Sequence, residues 1–187
     1  MSAQHTDTQH HLFDTALGRC GVAWNARGLC AVQLPEKTCA ATERRLAARA
    51  KSAGAAPPPW VEALVADIQN YLAGECVDFS AVAVDLEGFE PFRRRLYAAL
   101  RETPYGMTTS YGELARRLGL SDWEGARDVG AAMGQNPVPI VIPCHRVLAA
   151  GGKLGGFSAP GGSATKAKLL ALEGVHLDRG APRLPGL

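Results

Sequence analysis

The sequence predicts an α+β fold: a small amino-terminal unit that mixes strands and helices, then a mostly helical unit carrying a helix-turn-helix. Three observations predict it. Short apolar runs at residues 12–13, 21–24 and 29–34 read as strands, the last two joined by the turn Asn25-Ala26-Arg27-Gly28. Apolar residues recur at helical spacing over residues 60–72 and 91–101. Ser110 with Glu113, and Ser121 with Glu124, each set a hydroxyl three residues ahead of a carboxylate, the capping-box signature of a helix start.

In chain order, residues 1–10 are polar and are expected to form a disordered tail. The hairpin opens the first unit, residues 11–88. Residues 42–52 are helical in composition, and Pro57-Pro58-Pro59 breaks that helix. A second helix over residues 60–72 places Trp60, Leu64, Ile68 and Leu72 on one face before Gly74 stops it. Residues 77–86 read as a further strand, and Gly88 begins a connector to the second unit, residues 89–176. There residues 91–101 form a helix that buries Phe92, Leu96, Ala99 and Leu100. Helices over residues 111–118 and 122–133, separated by Gly119-Leu120, make the helix-turn-helix. Residues 177–187 form a tail.

An apolar fraction of 47% with 20% charged residues is ordinary for a globular protein. No apolar run is long enough to cross a bilayer, and the histidine-rich start lacks the apolar stretch of a secretory signal, which predicts a cytoplasmic protein. Cys20, Cys30, Cys39, Cys76 and Cys144 are odd in number and widely spaced, against a disulfide framework and unlike a zinc signature. The net charge of +2 is small but unevenly spread. Residues 1–87 carry seven Lys or Arg against ten Asp or Glu, and residues 88–187 carry thirteen against eight. The basic surplus favours the second unit as the one that meets an anionic partner such as DNA, although the run Arg93-Arg94-Arg95 reads equally as a solvated helix face.

The stretch Asn136-Pro137-Val138-Pro139-Ile140-Val141-Ile142-Pro143-Cys144-His145-Arg146-Val147 carries the chemistry. Residues 140–142 read as a buried β-segment, and Pro143 has no N–H for a ladder, so the chain leaves the sheet where Cys144 begins. A thiol becomes a nucleophile only when a base or positive field favours the thiolate, and His145 and Arg146 are candidates for that role. The plain alternative is a small buried hydrophobe. The helix over residues 122–133 is poor in bulky side chains, which fits either close helix packing or approach to a nucleic-acid groove.

Four blocks in order, Ser110-Tyr111-Gly112-Glu113-Leu114-Ala115, Ala126-Arg127-Asp128-Val129-Gly130, Pro143-Cys144-His145-Arg146-Val147 and Lys166-Ala167-Lys168-Leu169-Leu170-Ala171-Leu172-Glu173-Gly174, resemble the signature of the O6-alkylguanine-DNA alkyltransferases, the methylated-DNA–protein-cysteine methyltransferases. The resemblance runs from about residue 104 to residue 174; before that it rests on Asp14-Thr15-Ala16-Leu17-Gly18. It implies a ribonuclease-H-like first unit and a winged-helix-like second unit. It also implies a single-turnover DNA-repair methyltransferase that moves the alkyl group of O6-alkylguanine, with O4-alkylthymine as a second substrate, irreversibly onto Cys144. By the same resemblance, His145 acts on Cys144 through a water and Glu173 orients the imidazole. Asn136 braces the preceding turn, and Tyr111 rotates the nucleotide and donates a proton to it. Val147, Phe157 and Ser158 line the base pocket. Arg127 fills the place of the extruded base, and Ser110, Ala126, Gly130 and Arg146 join Tyr111 and Arg127 at the DNA. The implied partner is double-stranded DNA bearing O6-alkylguanine, with no metal, organic cofactor, membrane or protein partner, and a monomeric state. The chain departs from the pattern at Asp128, at Phe157 in place of tyrosine, and in a segment two residues longer between Phe157 and Lys166, with Ala159-Pro160 as the extra pair. Two other classes stand beside this one: a noncatalytic alkylated-base-binding protein, which Cys144 opposes, and a cysteine hydrolase, which the adjacency of Cys144 and His145 opposes.

Overall fold

The computed structural model describes residues 8–50, 52–53, 56–120 and 122–177. Strands β1 (Gln9–Thr15), β2 (Gly18–Asn25) and β3 (Gly28–Gln33) form an antiparallel meander, and β4 (Ser52–Ala53) adds parallel to β1, in the order β3-β2-β1-β4. Alternation along the strands sorts side chains by size. Ala23 and Ala31 face Leu46 and Ala50, whereas Val22, Trp24, Leu29 and Val32 join the main core. The small side lets helix α1 (Cys39–Ala47) lie close on the sheet, and a Cβ at Gly21 would strike Leu46. Helix α2 (Pro59–Leu72) belongs to the opposite, large-residue side and buries Val61, Leu64, Ile68, Tyr71 and Leu72 in that core.

The second unit contains α3 (Pro91–Arg101), β5 (Thr109–Ser110), α4 (Tyr111–Arg117), α5 (Asp122–Met133), a 3-10 turn (Cys144–Arg146), β6 (Val147–Leu148), a second 3-10 turn (Ala150–Gly152) and α6 (Gly162–Leu172). β5 and β6 pair in parallel, which ties the start of α4 to the chain just after Cys144. The capping box of α4 is complete: Glu113 N–H donates to the Ser110 hydroxyl at 3.1 Å, and Ser110 N–H donates to Glu113 Oε2 at 2.6 Å. The capping pattern at Ser121 lies outside the described residues, although α5 spans the expected 122–133. One core runs across both units, from Val22 and Ile68 through Leu96 and Val129 to Ile142 and Cys144. Val32 N–H also donates to the Pro137 carbonyl at 3.0 Å, joining the sheet to the loop before Cys144. No helix among the described residues is long and apolar enough to cross a membrane.

The mixed architecture follows the sequence reading, with several corrections. β1 starts at Gln9 rather than residue 12, because Gln9 and His10 are held in the ladder opposite Trp24 and Ala23; residues 1–7 lie outside the described residues, as do residues 178–187 of the expected tail. α1 begins earlier than expected because the Thr38 hydroxyl accepts from Ala41 N–H at 3.2 Å, and it ends at Ala47, leaving Ser52 and Ala53 to β4. Trp60, assigned to the buried face of α2, sits in its first turn and is 41% exposed.

Residues 77–86 do not form a strand. Their backbone pairing with the sheet is a single bridge, in which Leu29 N–H donates to Ala83 O and Asp85 N–H donates to Leu29 O, both at 2.9 Å. Gly28 permits it, since its φ is +142° and a Cβ there would lie 2.5 Å from the Ala83 carbonyl oxygen. Residues 140–142 are buried as expected but turn instead of extending. Ile140 has φ +75°, and Ile142 N–H donates back to Val138 O at 2.9 Å. Pro139 and Pro143 bracket the segment without backbone donors, so a regular ladder cannot form along it.

Candidate active site

The turn at residues 136–143 is held by the side chain of Asn136. Its Oδ1 accepts from Val138 N–H at 3.0 Å and its Nδ2 donates to Ile142 O at 2.8 Å. The same Nδ2 lies 3.1 Å from Cys144 Sγ, so the residue that shapes the turn also touches the sulfur. Cys144 opens the 3-10 turn directly after Pro143 and is 7% exposed. Burial pushes its thiol above the ordinary value; the Asn136 amide, the Lys166 ammonium and nearby backbone N–H groups act in the opposite direction. The sulfur therefore rests as a thiol near neutral pH and needs a base.

His145 is fully buried, with Nε2 2.8 Å from Glu173 Oε1. Burial would raise the Glu173 carboxyl, yet hydrogen bonds from His145 and Arg146 bring it down to about 2, so it is an acceptor at neutral pH. An ionised carboxylate cannot donate, which assigns the imidazole proton to Nε2 and leaves the lone pair on Nδ1. Nδ1 is buried and has no protein hydrogen-bond partner. Burial also lowers the imidazole pKa, against the pull of Glu173, so His145 is held neutral.

Glu173 caps the end of α6, yet it is only 5% exposed. Its oxygens accept from Arg146 Nε at 3.1 and 2.9 Å, from Arg146 Nη2 at 2.8 Å, from Tyr71 Oη at 2.7 Å and from Gly106 N–H at 3.0 Å. Arg146 is corrected by this geometry. It is 7% exposed, and its guanidinium is committed to Glu173 and to the Thr103 carbonyl, so it is not presented to DNA. A buried arginine satisfied by a carboxylate and a carbonyl follows the rule that buried charges are paired.

A cavity of about 300 Å³ is lined by Tyr111, Gly130, Met133, Gly134, Cys144, Gly156, Phe157 and Ser158. The cavity thus brings Tyr111, Phe157 and Ser158 together with Cys144, and it also takes in Gly130, which the resemblance had placed at the DNA. Burial, then the neighbouring Cys144, raises the Tyr111 phenol pKa, keeping the hydroxyl protonated. Val147 is fully buried in β6, and what it offers is its carbonyl, which accepts from Lys166 Nζ at 2.5 Å. Ser110 is occupied in capping α4. Ala126 is half-buried and Arg127 exposed on α5. The sparse side chains of α5 serve two ends: a Cβ at Gly125 would lie 2.7 Å from Leu120 Cβ, so that residue is small for packing, whereas Gly130 opens the cavity beside the Tyr111 ring.

Two buried polar side chains in the cluster escaped the sequence reading. Lys166 is buried, its Nζ bonded to the carbonyls of Val147 and Gly156, and burial lowers its pKa to about 8 despite Cys144 nearby. Tyr71 reaches the relay from α2, with its hydroxyl 3.1 Å from His145 Nε2 as well as 2.7 Å from Glu173 Oε1. The only available signal was a polar atom on the apolar face of each helix. Among the described residues no three His, Cys, Asp or Glu side chains group as metal ligands.

Comparisons with known proteins cover both units. Residues 9–86 match the ribonuclease-like domain of 6-O-methylguanine DNA methyltransferase, and residues 91–175 match its DNA binding domain. A methylated-DNA–protein-cysteine methyltransferase of Mycolicibacterium paratuberculosis is 48% identical over 112 residues, which is 60% of this chain and 64% of that protein. One from Methanothermobacter thermautotrophicus is 34% identical over 158 residues, 84% of this chain and 81% of that protein. The crystal structure of Mycobacterium tuberculosis OGT in complex with DNA superposes with a TM-score of 0.68 at 34% identity, covering 89% of this chain and 93% of that one. The chain spans just under two thirds of the length of the first of these relatives, but most of the other two. With both domains matched in sequence order and the fold shared along nearly the whole length, the chain belongs to the 6-O-methylguanine DNA methyltransferase family.

Proposed function

We propose that this protein repairs double-stranded DNA by moving the alkyl group of O6-alkylguanine onto its own Cys144, once per molecule. The observation that carries the reading is a buried cysteine opening on a base-sized cavity, with a neutral histidine and an ionised glutamate next to it. The relatives named as methylated-DNA–protein-cysteine methyltransferases, and the relative bound to DNA, support it.

In the transfer, Cys144 gives its proton through a water to His145 Nδ1, the ring nitrogen with no protein partner. The sulfur then forms a bond to the alkyl carbon as the carbon–O6 bond breaks, and that electron pair stays on the purine. The purine takes up a proton from the Tyr111 hydroxyl, and the proton on His145 makes good the loss, so the net products are S-alkylcysteine and guanine. Glu173 stabilises the imidazolium while it exists. A thioether has no good leaving group, so the alkylated protein is an end product. O4-alkylthymine offers the same alkyl–oxygen bond and is a second substrate of this reading. Arg127, exposed on α5, fills the gap left by the extruded nucleotide and offsets part of the few kcal/mol that unstacking typically costs.

The cysteine hydrolase alternative is disfavoured because His145 Nδ1 makes no hydrogen bond to the thiol, while Nε2 is held by Glu173. Incubation with a duplex containing O6-methylguanine is expected to add one methyl group to the Cys144 peptide, with Cys144→Ala binding the duplex and gaining none. A methyl group on any other residue, or on none, would reject the reading.

A further inference from the structure

The relay at Cys144 is not built by the second unit alone. Tyr71, near the end of α2, is fully buried, and among the described residues of the first unit it is the one whose side chain lies within hydrogen-bond distance of His145 and Glu173. Its ring is fixed by edge contacts with Phe79 at 5.7 Å and Tyr105 at 6.2 Å, so the hydroxyl has a defined position. Because Nε2 of His145 already carries a proton, Tyr71 cannot donate to it. The phenol must give its proton to Glu173 Oε1, so two donors, Tyr71 Oη–H and His145 Nε2–H, meet at that one carboxylate oxygen.

We propose that Tyr71 is a positioning residue of the alkyl-transfer relay: its hydroxyl shares Glu173 Oε1 with His145, which weakens the hold of that oxygen on the imidazole proton and keeps His145 an unprotonated base facing Cys144 through Nδ1. The inference rests on the transfer reading above and deepens it, since it makes the amino-terminal unit part of the chemistry. Without the hydroxyl, Oε1 loses a competing donor and draws harder on Nε2–H, so the imidazolium forms at higher pH. The charged and titratable groups around the imidazole are Glu173, Arg146, Lys166, Cys144 and Tyr71 itself, with Tyr105 facing Glu173 from the far side. Apart from Tyr71, all of them remain in a Tyr71→Phe variant, which also retains the ring packing.

The test compares wild-type protein and Tyr71→Phe for the single-turnover rate of Cys144 methylation from pH 5 to pH 9 on an O6-methylguanine duplex; the pH range is simply about that over which imidazole titrates. The expected result is duplex affinity within twofold of wild type, an acid limb moved to higher pH by about half a unit or more, and a rate about threefold lower on that limb that returns to the wild-type level on the alkaline plateau. An unchanged acid limb, or a loss of rate matched by a loss of affinity, would overturn the assignment. Nitrogen NMR of labelled His145 in the unmodified wild-type protein supplies a readout that does not depend on the variant: it should show Nε2 protonated and Nδ1 bare, and the reverse tautomer would overturn the assignment too. Should the wild-type protein accept no methyl group, the transfer reading falls and this inference with it. Transfer by both proteins with the same rate and pH profile removes only Tyr71.

Discussion

Glu173 decides more of the chemistry than its place at a helix end suggests. Four side-chain donors from three residues converge on it, and no feature of the sequence around it announces that convergence. Its folded pKa of about 2 lies below the ordinary 4.5, so its contribution to stability is fully present above pH 4.5 and is lost as pH falls toward 2. The size is on the order of 3 kcal/mol. Glu173→Gln should remove most of that acid-dependent loss in a denaturant titration repeated at several pH values, and it should slow Cys144 alkylation by about tenfold or more; a variant with the wild-type acid profile would detach Glu173 from the ion pair. Arg127→Ala should keep transfer from free O6-benzylguanine, if that base enters the cavity, while losing transfer from duplex DNA. Equal losses on both substrates would reject the role of Arg127 in base extrusion. At this scale the sequence was legible where residue types are rare and adjacent, as in Cys144-His145. It was silent where a residue acts across the fold, as Tyr71 does over 102 positions to Glu173.

Among the elements, those with local signals were readable and those defined by long-range contacts were not. α4 follows from Ser110 and Glu113, and α3 starts at Pro91 and runs to Arg101 as the spacing predicts. Residues 77–86 and 140–142 carry apolar β-formers, yet neither finds a partner strand. The first makes one bridge to Leu29, and the second is bent between two prolines with Ile140 in the left-handed region. Ser110→Ala should lower stability by about 1 kcal/mol through loss of the cap, measured by chemical denaturation. Gly28→Ala should cost more, because the new Cβ would meet the Ala83 carbonyl at 2.5 Å and the backbone is left-handed there; a fully stable Gly28→Ala protein would contradict the account of the 83–85 bridge.

For the whole molecule, the two units share one core, and the first unit supplies both the Val32 hydrogen bond to the active-site loop and the Tyr71 hydroxyl. The sequence suggested the order of the two units and the excess of basic residues in the second; it did not show that the first closes around the site, because that depends on packing between segments far apart in the chain. The basic surplus of residues 88–187 leads to an expected fall in duplex affinity with rising salt, linear on a log–log plot; binding insensitive to salt would remove phosphate contact from the account. The central claim is tested most directly by titrating a fixed amount of protein with an excess of O6-methylguanine duplex and counting, by intact-protein mass spectrometry and by recovery of guanine, the methyl groups moved. One methyl group per molecule on Cys144, with an equal number of lesions repaired and no further reaction, is the result predicted. Many lesions repaired per molecule, or repair with Cys144 left unmodified, would contradict it.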